Sequence, residues 1–115
     1  MRIKKSVNHF LGKEGHMRLN CGQSVIEAFK DKFPLDEAVF EEFKNYSAGR
    51  APGGLCGAFY AAERILEKHS PEKIKESRKY LSGHAGSLQC RDIRKLKKLP
   101  CVGCVEKTSE ILDKL

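Results

Sequence analysis

The sequence predicts an all-α protein, five or six helices packed as a compact bundle or an orthogonal array. Two observations carry this reading. Apolar residues recur at helical spacing almost throughout, and no stretch alternates apolar and polar residues as a half-buried strand would. At 115 residues and 40% apolar content, the chain is expected to form one domain over residues 1–115 around a modest core.

The first short helix is expected from about Ile3 to Lys13, with Val7, Phe10 and Leu11 inward, and Gly15 breaks it. The second runs from about Asn20 to Phe33. Asn20 suits the N-cap, Val25, Ile26, Phe29 and Phe33 make one stripe, and Pro34 stops it. The third spans about Leu35 to Tyr46, with Asp36 and Glu37 in its first turn and Val39, Phe40, Phe43 and Tyr46 as its buried face. Ser47 to Gly54 is the clearest loop. A fourth helix follows from about Leu55 to His69. Its first half is small-residued, with Gly57, Ala58, Ala61 and Ala62, so another backbone can approach it closely. Ser70-Pro71-Glu72 starts the fifth, which fades between Ser82 and Gly86. A short helix from Cys90 to Leu99 and a last one from Cys101 to Leu115 complete the chain.

Formal charge is +7. It is spread over amphipathic helices and mixed with 15 acidic residues, which argues against a nucleic-acid partner. Arg91, Arg94, Lys95, Lys97 and Lys98 are the exception. That run reads first as a solvated face. An anionic partner, or electrostatic support for a thiolate at Cys90, are the alternatives. No apolar segment resembles a secretory signal or reaches the length of a membrane span, so a cytoplasmic location is expected. In that compartment cysteine clusters are more often catalytic or metal-binding than disulfide-forming.

There are five cysteines, and each is expected at the opening of a helix: Cys21, Cys56, Cys90, and the pair Cys101 and Cys104. The positive end of a helix dipole lowers a thiol pKa, and the thiolate is both the nucleophile and the metal ligand. Cys101-Val102-Gly103-Cys104 has the spacing of a dithiol redox pair and equally of half a zinc knuckle. A second C-x-x-C is missing. His9, His16, His69 and His84 are scattered and read as surface or helix-end residues. Taken singly, Cys21, Cys56 and Cys90 would pass as small buried hydrophobes. Their shared context argues for a common site, holding either disulfides or a metal. The glycines between Gly49 and Gly57 do not make a phosphate loop. No strand precedes them and no Lys-Ser or Lys-Thr pair follows.

Asn20-Cys21-Gly22-Gln23-Ser24-Val25 resembles the N-C-A-Q-A-V segment of small bacterial and archaeal proteins named for a C…CGAxxG…C…C pattern. Cys56-Gly57-Ala58-Phe59-Tyr60-Ala61, after its glycine-rich loop, resembles their C-G-A-x-x-G element. Leu88-Gln89-Cys90-Arg91-Asp92 resembles their third cysteine, and Cys104-Val105 their fourth. The resemblance extends from about His9 to Leu112. It implies redox activity, with Cys21, Cys56, Cys90 and Cys104 as the functional set, and leaves the substrate open. Two departures stand out: Ala61 replaces the last glycine of the motif, and Cys101 is additional to the four.

The preferred expectation is a thiol redox protein, a candidate thiol–disulfide oxidoreductase, that passes electrons between convergent cysteines and needs no cofactor. Cys101 would serve as the resolving thiol of Cys104. The alternative is a metal-binding module in which Cys21, Cys56, Cys90 and Cys104 hold an iron–sulfur cluster or, second to it, zinc. A basic interaction protein is the third reading. No acid–base pair or Ser/His arrangement supports a hydrolase. The electron donor or acceptor is not legible, and the sequence leaves room for a homo-oligomer.

Overall fold

Helical periodicity resolves into seven α-helices: α1 (Arg2–Leu11), α2 (Cys21–Phe29), α3 (Glu37–Glu42), α4 (Gly57–His69), α5 (Ile74–Ala85), α6 (Cys90–Leu96) and α7 (Cys101–Lys114). The computed structural model describes residues 2–13, 15–16, 18–46 and 49–115. Ser47 and Ala48, which the sequence assigns to the loop before α4, lie outside the described residues. Among the described residues there is no strand, as expected. One isolated antiparallel bridge joins Leu55 to Gln89. The seven exceed the five or six expected of the bundle, but each falls on a segment that the sequence marks as helical; α3 and α6 are short, at six and seven residues.

Several boundaries move inward. The α2 helix ends at Phe29, four residues before the expected Phe33. Phe33 precedes Pro34, whose ring disfavours a helical backbone one residue earlier. The chain instead tightens into a turn, with Phe33 N–H donating to the Phe29 carbonyl at 2.7 Å, and Phe33 stays buried. Beyond α3, Phe43–Asn45 forms a 3₁₀ turn. The α5 helix does not fade at Gly83. It runs on to Ala85 and stops where Gly86 adopts a left-handed backbone, φ 86°.

The core is one cluster drawn from most of the helices. Phe29, Phe43, Phe59, Ile65, Leu66, Leu81 and Leu112 are fully buried in it. Packing of α1 against α7 departs from expectation in part. Ser6 and His9 are the buried residues of α1, Val7 and Phe10 pack half-buried against the core as expected, and Leu11 is 45% exposed. The reason is a polar contact inside that interface, where Ser6 Oγ and Ser109 Oγ hydrogen-bond at 2.5 Å. His9, expected at the surface, is buried with its ring edge-on to His16, centroids 5.0 Å apart.

The α2–α4 contact matters most for the site. Gly22 and Gly57 lie where the two helix starts meet. A Cβ on Gly22 would fall 2.5 Å from Phe43 Cδ2 and 2.9 Å from the Gly57 carbonyl oxygen. Only a residue without a side chain allows that approach. Ala58, Ala61 and Ala62 continue the small face along α4 and are fully buried. Ala61, where the resembled motif has glycine, is thus accommodated within the core.

Candidate functional site

Each cysteine arrives by a distinct local device. Asn20 caps α2. Its Oδ1 accepts from Gln23 N–H at 2.8 Å while its Nδ2 donates to the Phe43 carbonyl at 2.7 Å. Cys21 is therefore fixed as the first residue of α2, and α2 is tied to the end of α3. Cys56 is the N-cap of α4 and Cys90 the first residue of α6. Both directly follow the bridged residues Leu55 and Gln89, and Cys56 N–H donates to the Leu88 carbonyl at 3.0 Å. One antiparallel bridge thus fixes the starts of α4 and α6 relative to each other, with Cys56 opposite Leu88. Cys101 is the first residue of α7, and Cys104 stands one turn on, its N–H donating to the Pro100 carbonyl at 3.0 Å.

These devices bring all five cysteines to the wall of one cavity of about 530 Å³. Phe10, Ile93, Leu99 and Pro100 supply apolar wall, and Arg94 and Lys97 supply its cations. The thiols differ sharply in access. Cys56 and Cys104 are 6% and 3% exposed, Cys21 and Cys90 are partly buried, and Cys101 is exposed. All five are free thiols.

Their ionisation departs from the lowered values expected of helix-start thiols. Hydrogen bonding with Cys56, then burial, pushes the Cys21 thiol well above the ordinary range, against the pull of the Ala58 and Gly22 backbone. Cys56 is pushed up to about 12, first by its hydrogen bond with Cys104 and further by burial; its bond with Cys21 and the Phe59 backbone act the other way. Burial raises Cys90, and Arg94 opposes this. The helix-start amides do favour thiolate, but desolvation and neighbouring thiols outweigh them. Of the two arginines proposed from sequence to support Cys90, Arg94 lines the cavity with it, whereas Arg91 faces a neighbouring depression.

The contacts form a chain, Cys21 to Cys56 to Cys104. At the mouth, Arg94 interacts electrostatically with Cys90 and with Cys101, and hydrogen-bonds Cys101. The sequence paired Cys104 with Cys101; the fold also gives it Cys56. A family model described as "Putative redox-active protein (C_GCAxxG_C_C)" matches residues 19–115. The chain belongs to this family. All five cysteines of this member of the C_GCAxxG_C_C family line one cavity. The family name writes its central element GCAxxG, while this chain has the order Cys56-Gly57-Ala58 and ends it with Ala61. No curated protein and no solved structure matches the chain.

As ligands for a metal, Cys21, Cys56, Cys90 and Cys104 offer a soft donor set. Among the described residues, however, no three of His, Cys, Asp and Glu are grouped closely enough to hold an ion. Also among the described residues, no helix is long and apolar enough to cross a membrane. Sequence reasoning missed the cavity's apolar wall, and it placed Lys97 in a basic run read first as a solvated face. Lys97 takes a left-handed backbone, φ 56°, at the end of α6, a conformation that its residue type gives no reason to expect.

Proposed function

We propose that this protein is a thiol–disulfide oxidoreductase whose cysteines relay electrons from the buried thiols outward to a disulfide at the cavity mouth. The observation that carries the reading is the graded access of thiols on one cavity: exposed Cys101, partly buried Cys21, and buried Cys104 and Cys56. The Cys101 thiolate attacks a substrate disulfide R–S–S–R, forming Cys101–S–S–R and releasing one RS⁻. Cys104 then attacks the Cys101 sulfur and releases the second RS⁻, leaving a Cys101–Cys104 disulfide. Cys56, in contact with Cys104, attacks its sulfur in turn. The disulfide moves to Cys56–Cys104 and Cys101 is again a thiol. Two thiols have given two electrons and two protons, and one disulfide has become two thiols.

Raised thiol pKa values in the interior favour protonated, resting Cys21 and Cys56, so reaction begins at the mouth. The cytoplasm, which keeps thiols reduced, is the compartment in which such a relay would be recharged.

An anaerobic redox titration tests this. It should give a reversible two-electron couple between about −300 and about −120 mV. Cys104→Ser should abolish it, since both disulfides use that sulfur. Cys101→Ser should keep a shifted couple but slow oxidation. Peptide mapping after equilibrium oxidation should recover Cys56 linked to Cys104. Stoichiometric iron and sulfide in protein purified without oxygen would replace this reading with the metal-binding one.

A further inference from the structure

The redox reading leaves the chemistry of the small-molecule partner open, and the cavity mouth carries it further. Arg94 and Lys97 both line the cavity that holds the five thiols, and among the described residues no Asp or Glu lines it. Among the described residues neither cation forms an ion pair with a carboxylate. By contrast Arg2, Arg64, Arg78, Lys30, Lys44 and Lys107 each do. Arg94 is instead turned toward Cys90 and Cys101.

Lys97 adds an independent sign. It is the one non-glycine residue with positive φ among those described, and it holds that backbone at the C-cap of α6. Glycine is the residue that position usually takes, because a Cβ is disfavoured there. A lysine that accepts this strain while its side chain lines a cavity marks a functional position. Across from the cations the wall is apolar: Phe10, Ile93, Leu99 and Pro100. At about 530 Å³ the space suits a small organic molecule.

We propose that Arg94 and Lys97 are an anion-recognition pair over the thiols, and that the site takes a small disulfide carrying a carboxylate beside an apolar body. The proposal rests on the thiol-redox reading. The carboxylate docks on the two cations, which places the disulfide against Cys101. Exchange then proceeds as above: the protein is oxidised to its internal disulfide and the substrate leaves as two thiols.

The test uses the reduced, full-length protein and three disulfides of similar size. These are 3,3′-dithiodipropionate (dianion), bis(2-hydroxyethyl) disulfide (neutral) and cystamine (dication). Initial rates of thiol loss are divided by the rate of N-acetylcysteine amide with the same disulfide, which removes intrinsic reactivity. The expected result is a preference of at least about tenfold for the dianion over the dication at low salt. Arg94→Gln and Lys97→Gln should each lower that preference, while Lys95→Gln, equal in charge but off the cavity, should keep it. Lys97→Gly suits the left-handed backbone. It should hold or raise the thermal midpoint while still losing the preference, separating recognition from folding. Equal normalised rates in the parent protein, or a preference untouched by both cavity variants, overturn the proposal and leave the redox reading standing. Failure of all three disulfides to oxidise the protein overturns both.

Discussion

Gly57 faces the thiol of Cys21: a Cβ at position 57 would lie 2.8 Å from Cys21 Sγ and 2.8 Å from the Tyr46 carbonyl oxygen. That gap is what lets the starts of α2 and α4 meet and puts Cys21 beside Cys56. Two effects compete in Gly57→Ala. Alanine favours the helix by up to about 1 kcal/mol. Against it stand a rigid backbone oxygen and a sulfur, neither able to yield cheaply. Overpacking of this kind costs about 1–3 kcal/mol. The substitution should therefore destabilise the protein by urea unfolding, and it should raise the alkylation rate of Cys21 as the two thiols separate. Unchanged stability would mean that α2 and α4 slide apart without cost.

The thiols should label in order of access. With iodoacetamide at neutral pH, Cys101 should react first and Cys56 and Cys104 last, because Cys101 is exposed and the others are buried. At mildly acidic pH no rapid labelling of Cys21 or Cys56 is expected, since both hold their protons above the ordinary thiol range. Mass spectrometry of timed digests reads the order directly. Prior labelling of Cys56 would show that the cavity opens far wider than its walls imply.

Stability of the reduced protein should fall in alkali for the same reason. Cys56 holds its proton more tightly folded, at about 12, than unfolded. Such a group stabilises the fold fully below the unfolded thiol value of about 8.5 and loses that contribution as pH rises toward the folded value. The loss reaches at most about 1.4 kcal/mol per pH unit for one proton. Urea midpoints measured from about pH 8 to about pH 10.5 should drop more steeply for the parent than for Cys56→Ala. Parallel slopes would show that Cys56 does not titrate in this window.

Asn20→Ala should cost about 1–2 kcal/mol. The substitution removes the cap on Gln23 N–H and leaves the Phe43 carbonyl without its donor. Thermal unfolding checks this. Aspartate should restore the cap but not the bond to Phe43, so Asn20→Asp should recover only part of the loss.

Much of this was legible in the residues themselves. Helical class followed from periodicity. The placing of cysteines at helix starts followed from Asn20, the Gly53-Gly54 turn and Pro100, each a local punctuation mark. What local signals could not carry was anything depending on two distant segments at once. The Leu55–Gln89 bridge has no sequence signature, yet it fixes the starts of α4 and α6, which carry Cys56 and Cys90. Thiol ionisation was expected to follow the helix dipole, a property of one element. It is decided instead by burial and by neighbours from other helices. The burial of Ser6 likewise depends on Ser109, at the far end of the chain.

The wide spacing of the thiols along the chain has a consequence for biogenesis. In an unfolded or half-made chain only Cys101 and Cys104 are close neighbours, so the proposed Cys56–Cys104 bond forms far more readily once α4 and α7 have docked. Once formed, that bond ties off a loop of about fifty residues, which by chain entropy favours the native state by about 4 kcal/mol. Oxidation would then act as a lock that closes preferentially on a correctly assembled molecule. A chain that misassembles would keep its sulfurs apart and remain open to quality control.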